Sequence, residues 1–321
     1  MTLNKSKSVQ IASALLLLFA TVIWGSSFVT QTDSAKHIST FTLLCYRSYI
    51  ASFALGIIIF IRYLIRKSKV KNAVCSNKSS FWKMTGAGIF CGVMFTLAAA
   101  LQQMGIYYNT IVLGIDTAGR AAFVTAMYII FVPIVAMLFG KKSGASIWVG
   151  AVLCLGGMYF LCVSGGGGFA LGDIMLVGCA VAFTGQILVI DMVCYKYDSL
   201  WICFWQFFTA AVISTPIALC FESISIDGLY AALPSMLYLG IIGSAVAYTI
   251  QIVAQKNLHP AIASLIMSFE SVFATLSGAL FLGEKMTLIQ GVSCFAIFMG
   301  IMVAQFGGYV KDFIYCKIHK K

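Results

Sequence analysis

Apolar runs of about 18 residues or more follow one another along almost the whole chain, each long enough to cross a hydrocarbon core of about 30 Å as a helix that satisfies its own backbone hydrogen bonds. Read as helices, they fall at 11–31, 41–63, 82–106, 117–139, 146–163, 172–191, 200–220, 230–253, 261–282 and 287–307 of the 321 residues. The expected fold class is an all-α membrane protein of ten transmembrane helices. Apolar residues make up 61% and charged residues 10%, a balance that would leave a soluble domain of this length without enough ionisable surface. The first run follows Lys5 and Lys7 in the manner of a signal peptide. Its apolar character continues through Ile23, Trp24 and Phe28, so it reads as an uncleaved first helix.

The formal charge of +11 would need a soluble basic module to serve nucleic acid, so no nucleic-acid partner is expected. Its distribution points to topology. With the N-terminus in the cytoplasm, that side holds Lys5, Lys7, Arg62, Arg66, Lys67, Lys141, Lys196, Lys256 and the tail lysines, and the other holds Lys36 and Lys285. This imbalance predicts an even number of spans in the inner or plasma membrane, with both termini cytoplasmic. The sequons at Asn4 and Asn77 fall on the cytoplasmic side and are not expected to be glycosylated. The 11 cysteines lie mostly inside apolar runs without paired spacing, as small buried hydrophobes do. The 3 histidines stand apart, so no metal or other cofactor is expected.

The second half repeats the first. Setting Gly140-Lys141-Lys142 beside Gly283-Glu284-Lys285 brings Ala136 over Ala279 and Gly157 over Gly300. Each half holds five spans, an odd number, so the second must enter the membrane with opposite orientation. The expected division is a first repeat at 1–163, a glycine-rich connection at 164–171, a second repeat at 172–307 and a basic cytoplasmic tail at 308–321. Inverted repeats of this kind build a central site at the bilayer midplane.

Particular residues carry a family resemblance. Trp24-Gly25-Ser26-Ser27-Phe28 resembles the Trp-Gly-x-x-Phe signature of the drug/metabolite transporter superfamily, in its ten-helix EamA branch. Arg47, within Tyr46-Arg47-Ser48-Tyr49, resembles the arginine that opens the second helix there. Gln102 to Tyr108, Ala118 to Thr125 and Val132-Pro133 are similar to the third and fourth helices. Ser268 to Ala274, Leu282-Gly283-Glu284 and Gln290-Gly291 resemble the ninth helix and the start of the tenth. Ser271 stands where the family has Pro, and Thr184-Gly185 where a Trp is common. The resemblance implies an exporter of small organic metabolites such as amino acids or related compounds.

Arg47, Arg120 and Glu270 lie within spans, where a charge costs about 2.5 kcal/mol or more and should face the bundle interior or a wet cavity. Glu270 reads either as the site of a coupling proton or cationic group, or as a structural partner for an arginine or backbone donors. Each arginine reads either as an anion-binding fork or as a structural anchor, and whether Arg120 and Glu270 are neighbours stays open. Ser264, Ser268, Ser271, Thr275 and Gly278 share one helix face, suited to close packing or to a cavity wall. Asp116 and Asp191 sit near span ends and read as solvated. Tyr128, Trp205 and Tyr248 are aromatic candidates for a cavity, with Trp24 singled out by its motif. The expected cavity residues are Trp24, Arg47, Gln102, Arg120, Gln186, Gln251, Ser268, Glu270 and Ser271, with Glu270 the coupling candidate.

No nucleophile elbow, phosphate loop or catalytic cluster of His, Asp or Ser is present, which argues against an enzyme. The expected partners are a small-molecule substrate and the lipid bilayer, with protons joining if transport is gradient-linked. A flippase or scramblase for lipids or lipid-linked sugars is the alternative on the same fold. The sequence leaves the oligomeric state open.

Overall fold

A computed structural model of the chain describes residues 7–69, 78–114, 118–141, 143–163, 170–282, 288–289, 291–293 and 295–304. Most of the glycine-rich connection (164–169), the basic tail, Asn4, Asn77, Asp116, Gly283, Glu284, Lys285 and Gln290 lie outside the described residues. Every regular element among the described residues is helical. The helices are α1 Lys7–Ser34, α2 Thr40–Lys69, α3 Lys78–Tyr107, α4 Ala118–Thr125, α5 Tyr128–Leu138, α6 Ala145–Val163, α7 Leu171–Val193, α8 Ser199–Phe221, α9 Ile226–Leu237, α10 Ala247–Gln255, α11 Pro260–Met267, α12 Glu270–Leu282 and α13 Gly291–Ala304.

Among the described residues, eight stretches are long and apolar enough to cross a membrane: Lys7–Ser34, Thr40–Ile65, Phe81–Val112, Ala118–Leu138, Leu171–Val193, Ser199–Phe221, Ile226–Gln255 and Pro260–Phe281. The runs expected at 146–163 and 287–307 contain shorter apolar helices, Ala145–Gly157 and Gly291–Ala304. The surface suits lipid. Phe53, Trp82, Leu138, Phe221 and Leu280 point outward, whereas Gln31, Gln102, Gln186, Gln206 and Gln251 are buried. The protein is therefore a multi-pass membrane protein.

Helix starts are fixed by local chemistry. Asp198 caps α8 by accepting from the Leu200 N–H at 3.0 Å, and Ser225 caps α9 by accepting from the Gly228 N–H at 3.2 Å. The start of α2 is capped from the end of α8: Glu222 accepts from the backbone N–H groups of Phe41 and Thr42 at 2.8 and 2.7 Å. A carboxylate there meets both the unpaired donors and the positive end of the helix dipole.

In lipid the hydrophobic effect does not press helices together, so association depends on close approach and polar contacts. Glycines provide the approach. A Cβ on Gly25 of α1 would fall 2.3 Å from Phe273 Cβ and 2.7 Å from the Phe273 carbonyl carbon of α12. A Cβ on Gly92 of α3 would fall 2.7 Å from the Gln206 carbonyl oxygen of α8. Accordingly α1 packs on α10, α11 and α12, α3 on α7 and α8, α2 on α8, and α5 on α7 and α11.

Two of the spans are broken. The helical run from Ala118 to Leu138 is interrupted at Ala126 and Met127, and the run from Pro260 to Leu282 at Ser268 and Phe269. Two others contain wide π-helical turns, at Tyr108–Val112 after α3 and Tyr238–Val246 between α9 and α10. Interrupted helices of this kind are tolerated in a membrane where the backbone they free is buried in protein or lines a cavity.

Candidate functional site

Tyr128, Met267 and Glu270, the residues that flank the two breaks, come together inside the bundle. A narrow cavity lies there, lined by Trp24, Ser27, Phe28 and Gln31 of α1, Arg47 of α2, Gln102 of α3, Tyr128 of α5, Phe183 and Gln186 of α7, Tyr248 and Gln251 of α10, Met267 of α11 and Glu270 of α12. Trp24, Ser27, Phe28 and Gln31 occupy positions i, i+3, i+4 and i+7, one face of α1.

The π-helical turn between α9 and α10 presents groups to α1 and α2. Trp24 Nε1 donates to the Gly243 carbonyl at 3.1 Å, and the next residue, Ser244, accepts from Arg47 Nη2 at 3.2 Å. Arg47 Nη1 donates to Gln31 Oε1 at 3.5 Å, and the guanidinium carbon stands 5.9 Å from the centre of the Phe95 ring. Beneath it the aromatic rings interlock edge to face: Phe95 with Phe207 and Tyr248, and Tyr248 with Trp24, at centroid distances of 4.9, 5.1 and 5.1 Å.

Also in the lining, Tyr128 Oη donates to Glu270 Oε1 at 2.9 Å. An amide ladder continues from the cavity: Gln251 Nε2 donates to Gln186 Oε1 at 3.5 Å, and Gln186 Nε2 to Gln206 Oε1 at 3.3 Å. Gln251 Oε1 and Gln206 Nε2 find no protein partner.

Of the residues expected at a cavity, Trp24, Arg47, Gln102, Gln186, Gln251 and Glu270 line this one. Arg120, Ser268 and Ser271 are not in its lining. Arg120 binds Asp173 through two donors, with Nε to Oδ1 at 3.0 Å. Asp173 also accepts from Asn109 at 3.1 Å and from the Ala170 N–H at 2.8 Å, so it ties α4 to the start of α7. Arg120 and Glu270 thus hold different partners. The Ser268 and Ser271 hydroxyls donate to the carbonyls of Leu265 and Ser268 at 2.6 and 2.8 Å, which turns them onto their own backbone at the break.

The expectation that Asp191 is solvated is corrected. Its side chain is 3% exposed and forms an ion pair with Lys141, because the turn after α5 ends beside the last turn of α7. Asp173 was not singled out in the sequence, although an acidic residue three positions into a helix is a recognisable first-turn signal. Gln31 was also missed, and the 3-4-7 spacing from Trp24 was its signal.

With this geometry in hand, the comparisons with known proteins are decisive on family. The EamA-like transporter family matches residues 11–163 and again residues 170–305. The chain belongs to this family. It is also similar to an uncharacterized transporter of Archaeoglobus fulgidus, with 26% identity over 291 residues that cover 89% of this chain and 83% of the relative. A protein of known crystal structure superposes with a TM-score of 0.67 at 20% identity, covering 91% of this chain and 96% of that one, a likeness of fold. This member of the EamA-like family is accordingly a transporter. The trio of Trp24, Gly25 and Phe28 acquires a structural meaning: Trp24 and Phe28 face the cavity while Gly25 admits the α12 backbone.

Proposed function

We propose that the protein exports small organic metabolites, such as amino acids or related compounds, by alternating access around its central cavity. In this reading ten helices form two inverted repeats of five, in the inner or plasma membrane, with both termini in the cytoplasm. The observation that carries it is the make-up of the cavity. Arg47, Glu270 and the amides of Gln31, Gln102, Gln186 and Gln251 converge on one space walled by Trp24, Phe183 and Tyr248. A bundle that needed only to hold together would gain little from gathering charge and amides around an empty centre. A polar organic solute would satisfy both the amides and the aromatic walls.

Support for the repeat comes from three directions. The family match falls twice, once per half. The broken spans correspond in layout, since α4 and α11 are each followed by a break of two residues and then by a further helix. α6 and α13 approach each other through glycines, since a Cβ on Gly150 would fall 2.5 Å from the Gly300 carbonyl oxygen. Cavity-lining residues come from both halves, so rocking one against the other opens the space to either side.

Glu270 is the proposed coupling group, with Tyr128 orienting one of its oxygens. The lipid-carrier alternative is less well supported. The groove between Gly157 and Ser293 has an almost wholly apolar wall of Val152, Leu153, Phe160, Leu288 and Val292, which suits an acyl chain and offers little to a headgroup.

The test is uptake into proteoliposomes of labelled amino acids, amines, purines and sugars, with and without a pH gradient, comparing wild type with Glu270→Gln. Gradient-driven uptake that the variant loses supports the proton-linked reading. Uptake indifferent to both leaves a facilitator with Glu270 structural, and lipid movement without solute uptake overturns the metabolite reading.

A further inference from the structure

We infer that Arg47 is a seat for a single carboxylate, and that the solute moved by this protein carries one. The inference deepens the transport reading above and rests on it. The arginine is 6% exposed and lines the central cavity. A buried charge is ordinarily paired, because its desolvation is otherwise uncompensated. Among the described residues, however, the ion pairs join Lys36 to Asp33, Arg62 to Asp198, Arg120 to Asp173 and Lys141 to Asp191, and none includes Arg47.

Its own hydrogen bonds are long and go to neutral oxygens. Nε and Nη2 donate to Ser244 Oγ at 3.4 and 3.2 Å, and Nη1 to Gln31 Oε1 at 3.5 Å. A guanidinium has five N–H groups, so each terminal nitrogen keeps one that these bonds do not use. Two parallel N–H groups on one planar fork match the two oxygens of a carboxylate. Arg120 already grips the two oxygens of Asp173 with a pair of N–H groups, those of Nε and Nη2. At Arg47 the acid is missing from the protein and is supplied by the solute.

The same lining limits the charge of that solute. Arg47 is its basic residue and Glu270 its acidic one. A phosphate or dicarboxylate would bring a second negative charge with no further cation in the lining to meet it. A monocarboxylate leaves Glu270 and the unpartnered Gln251 Oε1 to accept donors elsewhere on the solute.

The experiment uses the full chain in proteoliposomes and a panel of labelled neutral amino acids, each paired with its carboxamide, together with aspartate and glutamate. Wild type is expected to take up at least one acid tenfold or more faster than its amide and to reject the dicarboxylates. Arg47→Gln is expected to lose that preference, and Arg47→Lys to keep part of it. Thermal stabilisation of purified wild type by the same acid and not by its amide reads the inference without any variant. Amides moving as fast as acids, or an unchanged preference in folded Arg47→Gln, overturn the carboxylate seat and leave transport standing. No uptake of any solute by wild type overturns the transport reading itself.

Discussion

Tyr128 and Glu270 are the first helical residues after the breaks in their respective spans, and they hydrogen-bond to each other at 2.9 Å. One comes from each half of the chain, so the bond joins the two broken helices at the wall of the cavity. Neither break contains proline or glycine. Tertiary packing surrounds both, Ala126 and Ser268 being fully buried, and Ser268 also bonds locally back to the Leu265 carbonyl. The residues that follow each break are thereby aimed at the cavity and at each other.

Removing the two ends of this bond has different consequences. Glu270→Gln retains an oxygen that accepts from Tyr128, so its unfolding midpoint in detergent should stay near that of wild type. Tyr128→Phe leaves a buried carboxyl oxygen without its donor, a loss of about 1–3 kcal/mol for an unsatisfied buried acceptor. Thermal unfolding of purified variants checks this, and a Glu270→Gln protein less stable than Tyr128→Phe would refute the assignment of donor and acceptor.

Gly25 should tolerate no side chain. A Cβ there would stand 2.3 Å from Phe273 Cβ and 2.8 Å from the Ala274 nitrogen, and that backbone has no rotamer by which to yield. Overpacking in a tight core costs about 1–3 kcal/mol, and a clash with backbone lies at or above the upper end. Gly25→Val is expected to abolish recovery of folded protein, whereas Gly86→Ala, where nothing stands within 4 Å, should purify normally. Monodisperse yield from size-exclusion chromatography measures the difference.

The spans were legible because membrane helices must be long, apolar and internally hydrogen-bonded, and the family because Trp24, Arg47 and Glu270 stand in a fixed order along them. The breaks and π-helical turns were not legible, since Ala126, Met127, Ser268 and Phe269 have no backbone preference that marks a break. They depend on neighbours brought from far along the chain. The same holds for charge: Asp191 near a span end reads as solvated until Lys141 is placed beside it. Arg47 and Arg120 look equivalent in sequence, and Asp173 separates them.

The pair of Arg120 and Asp173 makes an asymmetric prediction. The arginine side chain is 18% exposed and the aspartate 1%. Freed by Asp173→Asn, the long arginine can reach toward water or headgroups. Freed by Arg120→Met, the aspartate stays buried with Asn109 and the Ala170 N–H as its remaining partners. Breaking a buried pair costs about 3–5 kcal/mol when the remaining charge is trapped. Arg120→Met should therefore be the more destabilised, and adding Asp173→Asn to it should restore part of the loss. Chemical unfolding of the two single variants and the double variant gives the order.

His259 gives the protein a pH dependence outside its spans. Its Nδ1 accepts from the Ala261 N–H at 3.3 Å and caps α11, a role open only to the neutral ring. Burial, and then the ammonium of Lys141 nearby, hold its pKa below the usual 6.5, against the opposing pull of Asp191. A histidine depressed in the fold binds fewer protons there than in the unfolded chain, so its contribution is fully present above about pH 6.5 and is lost as pH falls through the folded value. His259→Asn keeps a capping oxygen without a titrating proton. Unfolding midpoints measured from pH 7.5 to 5 should fall more steeply for wild type than for His259→Asn, with the two converging or crossing at the acid end. Carboxylates that titrate in the same range act on both proteins alike, so parallel profiles would show that His259 carries no part of the dependence.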